Sequence, residues 1–314
     1  ASIDTAARVS DLTTLYNPGG GNETNAWTVV ISSADKTGST AANLNTINSA
    51  TSVAVDLTEV TALAASDISD LATLNTNKDG LSNRGNLASI TLTDNGGGGL
   101  SDVDFGALAD VVDDSQTNFK NTVTFKFQAG DTIDIDDSTE LGKFVTDIGS
   151  NALTLTDQKV TVDSGTKISV SNARSIANDT TGTVTASIDT AARVSDLTTL
   201  YNPGGGNETN AWTVVISNAD KTSSAADLNT INASTSAEVN AAQVTGISSS
   251  NISNISTLLT NAAKDGDPDA REFTAGSFVN LAAVTLSDAT IAVGDLNTAI
   301  SNANTVATGA VTKF

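Results

Sequence analysis

Apolar positions along the chain switch between two periods. Val9, Leu12, Leu15 and Tyr16 recur at helical spacing, Asp4 or Thr5 stands where a cap is needed, and Asn17-Pro18-Gly19-Gly20-Gly21-Asn22 breaks the pattern. Trp27, Val29 and Ile31 then alternate with their neighbours, which predicts a strand. Leu44 and Ile47 predict a short helix after Ser39, Val53–Leu57 a strand, and Val60–Leu74 a helical stretch with Ile68, Leu71 and Leu74 at helical spacing. Leu87–Leu92 reads as a strand stopped by Asp94-Asn95 and the glycines 96–99.

The next stretch has a different character. Phe105, Leu108 and Val111 suggest a helix. Val123-Thr124-Phe125-Lys126-Phe127 and Thr132-Ile133-Asp134-Ile135-Asp136 alternate cleanly around Gln128-Ala129-Gly130-Asp131, which predicts a β-hairpin. Ser138 or Thr139 would cap a helix carrying Leu141, Phe144, Val145 and Ile148. Strands are expected at 153–155, 160–162, 168–170 and 183–188, the last burying Val184, Ala186 and Ile188, with a helix over 171–176.

A duplication underlies these elements. Residues 1–32 return letter for letter at 186–217. Ser39–Asn48 matches Ser224–Asn232 with one residue deleted, and Asn86–Asp94 answers Asn280–Asp288. Lys167–Ala186 resembles Thr290–Thr312. The implied organisation is repeat unit 1 over 1–94, an inserted module over 95–160, the end of unit 1 over 161–185, and repeat unit 2, lacking the insert, over 186–314. The expected fold is a mixed β/α tandem repeat, a solenoid-like stack of short strands and short helices carrying an inserted α/β hairpin module. The alternative is a string of small α/β or α+β domains.

The ends of the chain fit the same scheme. Thr183–Thr185 runs straight into Ala186, so one copy continues into the next through a strand. Ala310-Val311-Thr312 resembles that lead-in, and Ala1 stands where the lead-in would end. The end of one chain would then precede the start of another, a head-to-tail relation that builds open filaments unless it closes into a ring. The other reading makes these ends the boundaries of a piece of a longer repetitive protein. The expected assembly residues are Ala1, Ser2 and Ile3 at one end and Val311, Thr312 and Phe314 at the other, since an open strand edge is a template for another chain.

Composition narrows the function. Aromatics make up only 4% of the 314 residues, so the core is thin and built from Ala, Val, Ile and Leu. The net charge is −21, which argues against a nucleic-acid backbone or an anionic membrane as partner. No Cys and no His are present, which removes disulfides, Ser-His and Cys-His nucleophile systems and His-ligated zinc. No apolar run is long enough to span a membrane, and no signal peptide is recognisable; a chain opening on Ala1 is consistent with a processed form.

The remaining chemistry is weak. Two of the glycine runs, 19–21 and 204–206, follow a helix and precede a strand, the reverse of a dinucleotide-binding order. Asp131, Asp134 and Asp136 crowd one turn, and Asp265, Asp267 and Asp269 another, the two places where Ca2+ would find oxygen ligands. Neither has EF-hand spacing, and solvated turns or helix caps explain both. Trp27 and Trp212 sit on the buried phase of their strands and read as core anchors.

The phrases VSNARSIANDTTGTVTASIDTAARVSDLTTL and SAADLNTINASTSAEVNAAQVTGI resemble repeats of very large secreted bacterial cell-surface proteins, of the cyanobacterial, RTX-like or S-layer-like adhesin kind. The resemblance covers most of both copies and not the insert, and the glycine-rich calcium nonapeptide is missing. It implies an extracellular, non-enzymatic structural protein, a subunit of a filament or surface layer joined to copies of itself. The alternative is an adhesin or phage tail-fibre segment, a binding module for a glycan or another cell-surface ligand. A carbohydrate-active enzyme is the third class, and no site for it is visible.

Overall fold

The computed structural model describes residues 2–4, 7–15, 25–93, 102–119, 123–200, 210–263 and 272–307, with backbone alone at 102–104. The chain divides into two compact units, Ala1–Val160 with Asp179–Gly182, and Thr161–Asn178 with Thr183–Phe314. Ten strand pairs among the described residues are parallel, the geometry that strand–helix–strand crossovers produce.

The first unit opens with α1 (Val9–Leu12), which tightens into a 3-10 turn over Thr13–Leu15. Then come α2 (Ala41–Ser49), β1 (Val55–Asp56), β2 (Ala62–Asp67), α3 (Ile68–Thr76), β3 (Leu81–Ser82) and β4 (Ser89–Thr93). They are followed by β5 (Asp102–Asp104), α4 (Phe105–Asn118), β6 (Thr124–Lys126), β7 (Thr132–Ile135), α5 (Ser138–Gly149) and β8 (Leu153–Thr154). The sheet β2-β4-β6-β8 is the longest in this unit, with β1 paired to β3 and β5 to β7. The helices follow one another on the layer beside it, α2 against α3, α3 against α4 and α4 against α5. Leu44, Ile47, Leu63, Leu71, Leu74 and Ile90 fill the space between, each fully buried. Each such side chain contributes roughly 1.5–3 kcal/mol relative to exposure. Phe105 and Phe144 meet edge to face at 5.1 Å under α4 and α5.

β9 (Lys159–Val162) carries the chain into the second unit. This holds β10 (Lys167–Ile168), α6 (Val170–Asp179), β11 (Val184–Ile188), α7 (Val194–Leu197), β12 (Ala211–Val215) and β13 (Thr222–Ser223). α8 (Ala225–Ala233), β14 (Val239–Asn240), β15 (Gly246–Ser250), α9 (Ile252–Ala263), β16 (Ala283–Leu286) and α10 (Val293–Val306) complete it. β10, β11, β12 and β14 pair in that order, and β13, β15 and β16 form a second sheet. β11 buries Val184, Ala186 and Ile188 as expected, but Ser187, which strict alternation would turn outward, is buried as well.

The expected solenoid-like stack with an inserted hairpin is overturned. The described strands sort into several parallel sheets among ten α-helices, a mixed α/β architecture. The hairpin fails at its turn. β6 joins β4 and β8, whereas β7 pairs with β5, both in parallel. Alternation tells which face of a strand is buried and is silent about its partner. Gly130 adopts a positive φ of 81°, and the Asp131 carboxylate accepts the Gln128 N–H at 2.9 Å. This turn redirects the chain between sheets instead of folding it back on itself. The stretch 60–74 also splits, with Ala62–Asp67 extended against β4 and the helix beginning only at Ile68.

Candidate functional site

Equivalent positions of the two copies place the same side chains on the same backbone atoms. Asp35 is buried; its Oδ2 accepts the Val9 N–H at 2.9 Å and its Oδ1 meets Arg8 Nη2 at 2.9 Å. In the second copy Asp220 accepts the Val194 N–H at 3.1 Å and meets Arg193 Nη2 at 3.0 Å. The first helical amides have no partner inside the helix, and neither Arg8 nor Arg193 caps with its side chain. An aspartate from the following turn supplies the missing acceptor. Asp4 and Thr5 were the expected caps; Thr5 lies outside the described residues, and the structure gives the role to Asp35.

Three further ties recur. Ser66 Oγ accepts the Ala41 N–H at 2.9 Å and donates to Ala64 O; Ser250 does the same for Ala225 at 2.9 Å and Ser248 O. Asn45 Nδ2 donates to Asp70 O at 2.9 Å, and Asn229 Nδ2 to Asn254 O at 2.9 Å. Thr51 Oγ1 donates to Trp27 O at 2.7 Å, and Thr235 Oγ1 to Trp212 O at 2.9 Å. Apart from the local bonds to Ala64 and Ser248, each joins one strand–helix step to the next. Sequence reasoning missed them, although Asp35, Asn45, Thr51 and Ser66 all recur in the second copy and that recurrence was the available signal.

The acidic turn does not converge. Asp131 turns inward, its carboxylate occupied by the Gln128 N–H and its carbonyl by the Lys159 N–H at 2.9 Å. Asp134 is half-buried on β7 and Asp136 is exposed. Asp137 caps α5 by accepting from Thr139 N and Glu140 N, and these amides hold its carboxyl below the usual range. Among the described residues no three acidic side chains gather as a metal site would require. Asp265, Asp267 and Asp269 lie outside the described residues, as do Ala1, Val311, Thr312 and Phe314. Ser2 bridges Thr28 in parallel, and the Ile3 N–H donates to Thr28 O at 3.0 Å, so this strand pairs within its own unit.

Charge perturbation concentrates on α4 and α5. Lys143 Nζ lies 3.3 Å from Asp110 and 3.6 Å from Asp113, and the hydrogen bond to Asp110 raises its pKa. One turn further along α5, burial pushes the Asp147 carboxyl up to about 6, with the negative charge of Asp113 adding to the effect. This pattern belongs to a helix–helix contact. No nucleophile faces it among these groups.

Two open clefts lie in the second unit. One, of about 560 Å³, is lined by Arg193, Asp220, Ser224, Asp227 and Ser248. Four of its polar groups are engaged with one another: Ser224 Oγ donates to Asp227 Oδ2 at 2.7 Å and Asp220 holds Arg193. The other, of about 510 Å³, separates the first turn of α6 (Val170, Arg174) from the start of the second copy (Ala191, Ala192, Asp196). No described helix is long and apolar enough to cross a membrane. No protein-family model matches the chain, and no curated protein matches it.

Proposed function

We propose that the chain is a non-enzymatic structural protein of the cell exterior whose copies join head to tail into a filament or surface layer. The observation that carries this reading is the junction inside the chain. β11 belongs to the end of one copy and the start of the next, and it sits between β10 and β12 in parallel register, Ala186 opposite Trp212. A strand shared by two copies is a joint that further copies can repeat.

The use of the recurring polar residues points the same way. Asp35, Ser66, Asn45 and Thr51, like their second-copy equivalents, hold backbone atoms. The exterior setting rests on the resemblance of the repeat phrases to secreted bacterial cell-surface proteins, with a Cys-free chain of 36 acidic against 15 basic residues.

Electron microscopy of the purified protein tests the assembly. Filaments or sheets with an axial repeat of one subunit are the expected result. Dispersed single particles at every concentration would overturn it and favour a binding module.

A further inference from the structure

One arginine of this acidic chain lines a cleft without a partner. Arg174 lies on α6, one turn from its start, on the same face as Val170 and Ser171, which line the cleft with it. It is exposed, and among the described residues it donates no side-chain hydrogen bond and forms no ion pair. Asp189 and Asp196 line the same cleft. Asp189 Oδ1 accepts the Ala191 N–H at 2.9 Å, whereas the Asp196 carboxylate accepts no hydrogen bond among the described residues. Between these groups about 510 Å³ stays open. The helix itself does not require the arginine. Lys167–Arg174 aligns without a gap with Thr290–Asn297, so α10 carries the exposed Asn297 at this place.

We propose that this cleft binds an acidic oligosaccharide, with a uronate carboxylate held by Arg174 and ring hydroxyls donating to Asp189 and Asp196. A planar guanidinium pairs with a carboxylate through two parallel bonds, and Arg174 has no internal partner to give up first. The aspartates discriminate among anions. Inorganic sulfate brings acceptors alone and meets their repulsion, whereas a sugar brings hydroxyl donors along with its charge. Size argues against a free amino acid, since clefts of about 300–1,000 Å³ take drug-sized molecules. The lining argues against a peptide. None of the lining residues belongs to a strand that could pair with one, and Ala191 and Ala192 form no pocket for a side chain. With Val170 they offer a shallow apolar floor to the C–H face of a pyranose ring. The site goes beyond the assembly reading and holds whether or not copies join.

The test is a ligand-observed NMR titration of the full chain, which reads affinities as weak as millimolar. The probe is the trisaccharide of galacturonic acid, and the neutral galactose trisaccharide of the same linkage is the control. Expected is binding of the acidic sugar, weakened at least about tenfold by Arg174→Ala and less by Arg174→Lys, which keeps the charge and loses the paired geometry. The neutral sugar should bind more weakly and be indifferent to Arg174→Ala. Arg174 is exposed and unpaired, so both variants should fold, which circular dichroism checks. An acidic sugar that does not bind, or binds Arg174→Ala as well as the native chain, would overturn the site. Displacement of the sugar by equimolar inorganic sulfate would overturn the role given to the aspartates. Trialanine binding more tightly than the acidic sugar would overturn the ligand class.

Discussion

Trp27 and Trp212 occupy the same place in an identical sequence, yet Trp212 is buried to 1% exposure and Trp27 is only half-buried. Local sequence cannot cause the difference. The bonds around the two are also shared, Thr51 to Trp27 and Thr235 to Trp212. The strand in front keeps the same register in both, Ser187 opposite Thr213 and Ser2 opposite Thr28, and what differs among the described residues is the strand behind it. Trp212 lies opposite Ala186 on β11, which is itself backed by β10. The Trp27 strand has isolated bridges, Ser2 to Thr28 and Val30 to Asp56. Side-chain ties are thus fixed by the repeat, and burial is set by the neighbour.

The largest effect that can break this comparison is at the tryptophans. Trp212→Ala should cost about 3–5 kcal/mol, as large-to-small changes in full cores do. Trp27→Ala should cost on the order of 1–2 kcal/mol, in proportion to its smaller buried area. Urea denaturation followed by circular dichroism measures both, and equal losses would contradict the role given to β10 and β11.

The aspartate ties should respond alike in both copies. Asp35→Ala and Asp220→Ala each remove a charge-assisted acceptor and should cost about 1.5–3 kcal/mol. Arg8→Ala and Arg193→Ala should cost below about 1 kcal/mol, since both guanidinium side chains are more than half exposed. An arginine effect as large as the aspartate effect would show the ion pair, and not the helix amide, to be the important partner. At the next level, Thr40→Ala and Ser224→Ala remove the caps of α2 and α8, each worth about 1 kcal/mol.

Asp147 lies in the segment that the second copy lacks, so it sharpens the comparison through pH. Its carboxyl holds a proton up to about pH 6 in the folded chain, above the ordinary value of 3.8. Between these values the native state binds more protons than the unfolded state, so stability falls as pH rises through this window. Asp147→Asn should therefore stabilise the chain at pH 7.5 and change little near pH 3.5. Thermal melts at the two pH values check the sign, and a variant stabilised equally at both would contradict it.

Much of the local structure was legible from period alone. Leu44 with Ile47, and Leu141 with Phe144 and Ile148, marked α2 and α5, and Val184, Ala186 and Ile188 marked β11. Pairing was not legible. Phe125 and Ile133 alternate as a hairpin would, and the turn between them carries Gly130, yet their strands go to different sheets. Long-range partners depend on which surfaces compete, and no window of the sequence holds that information. The ties were hidden for another reason: Asp35, Ser66 and Thr51 look like ordinary loop and cap residues until the distant backbone atoms they reach are known. Asp56 gives one case where substitution preserves the tie. It accepts the Thr58 N–H at 2.9 Å, and Asn240 accepts the Ala242 N–H at 3.0 Å in the second copy. Burial raises the Asp56 pKa, but bonds from Thr58 and Asn83 outweigh it and keep the carboxyl below its usual range.

The most direct test uses the tryptophans as reporters of the joint. Trp27→Phe leaves Trp212 as the only indole, and Trp212→Phe leaves Trp27. Acrylamide quenching would be followed from dilute to assembled protein. If copies join as α6, β10 and β11 join to the second copy, Trp212 is protected at every concentration. Trp27 is then quenched when dilute and becomes protected as assembly proceeds. A Trp27 whose quenching stays the same from monomer to polymer would contradict the reuse of the internal junction between chains.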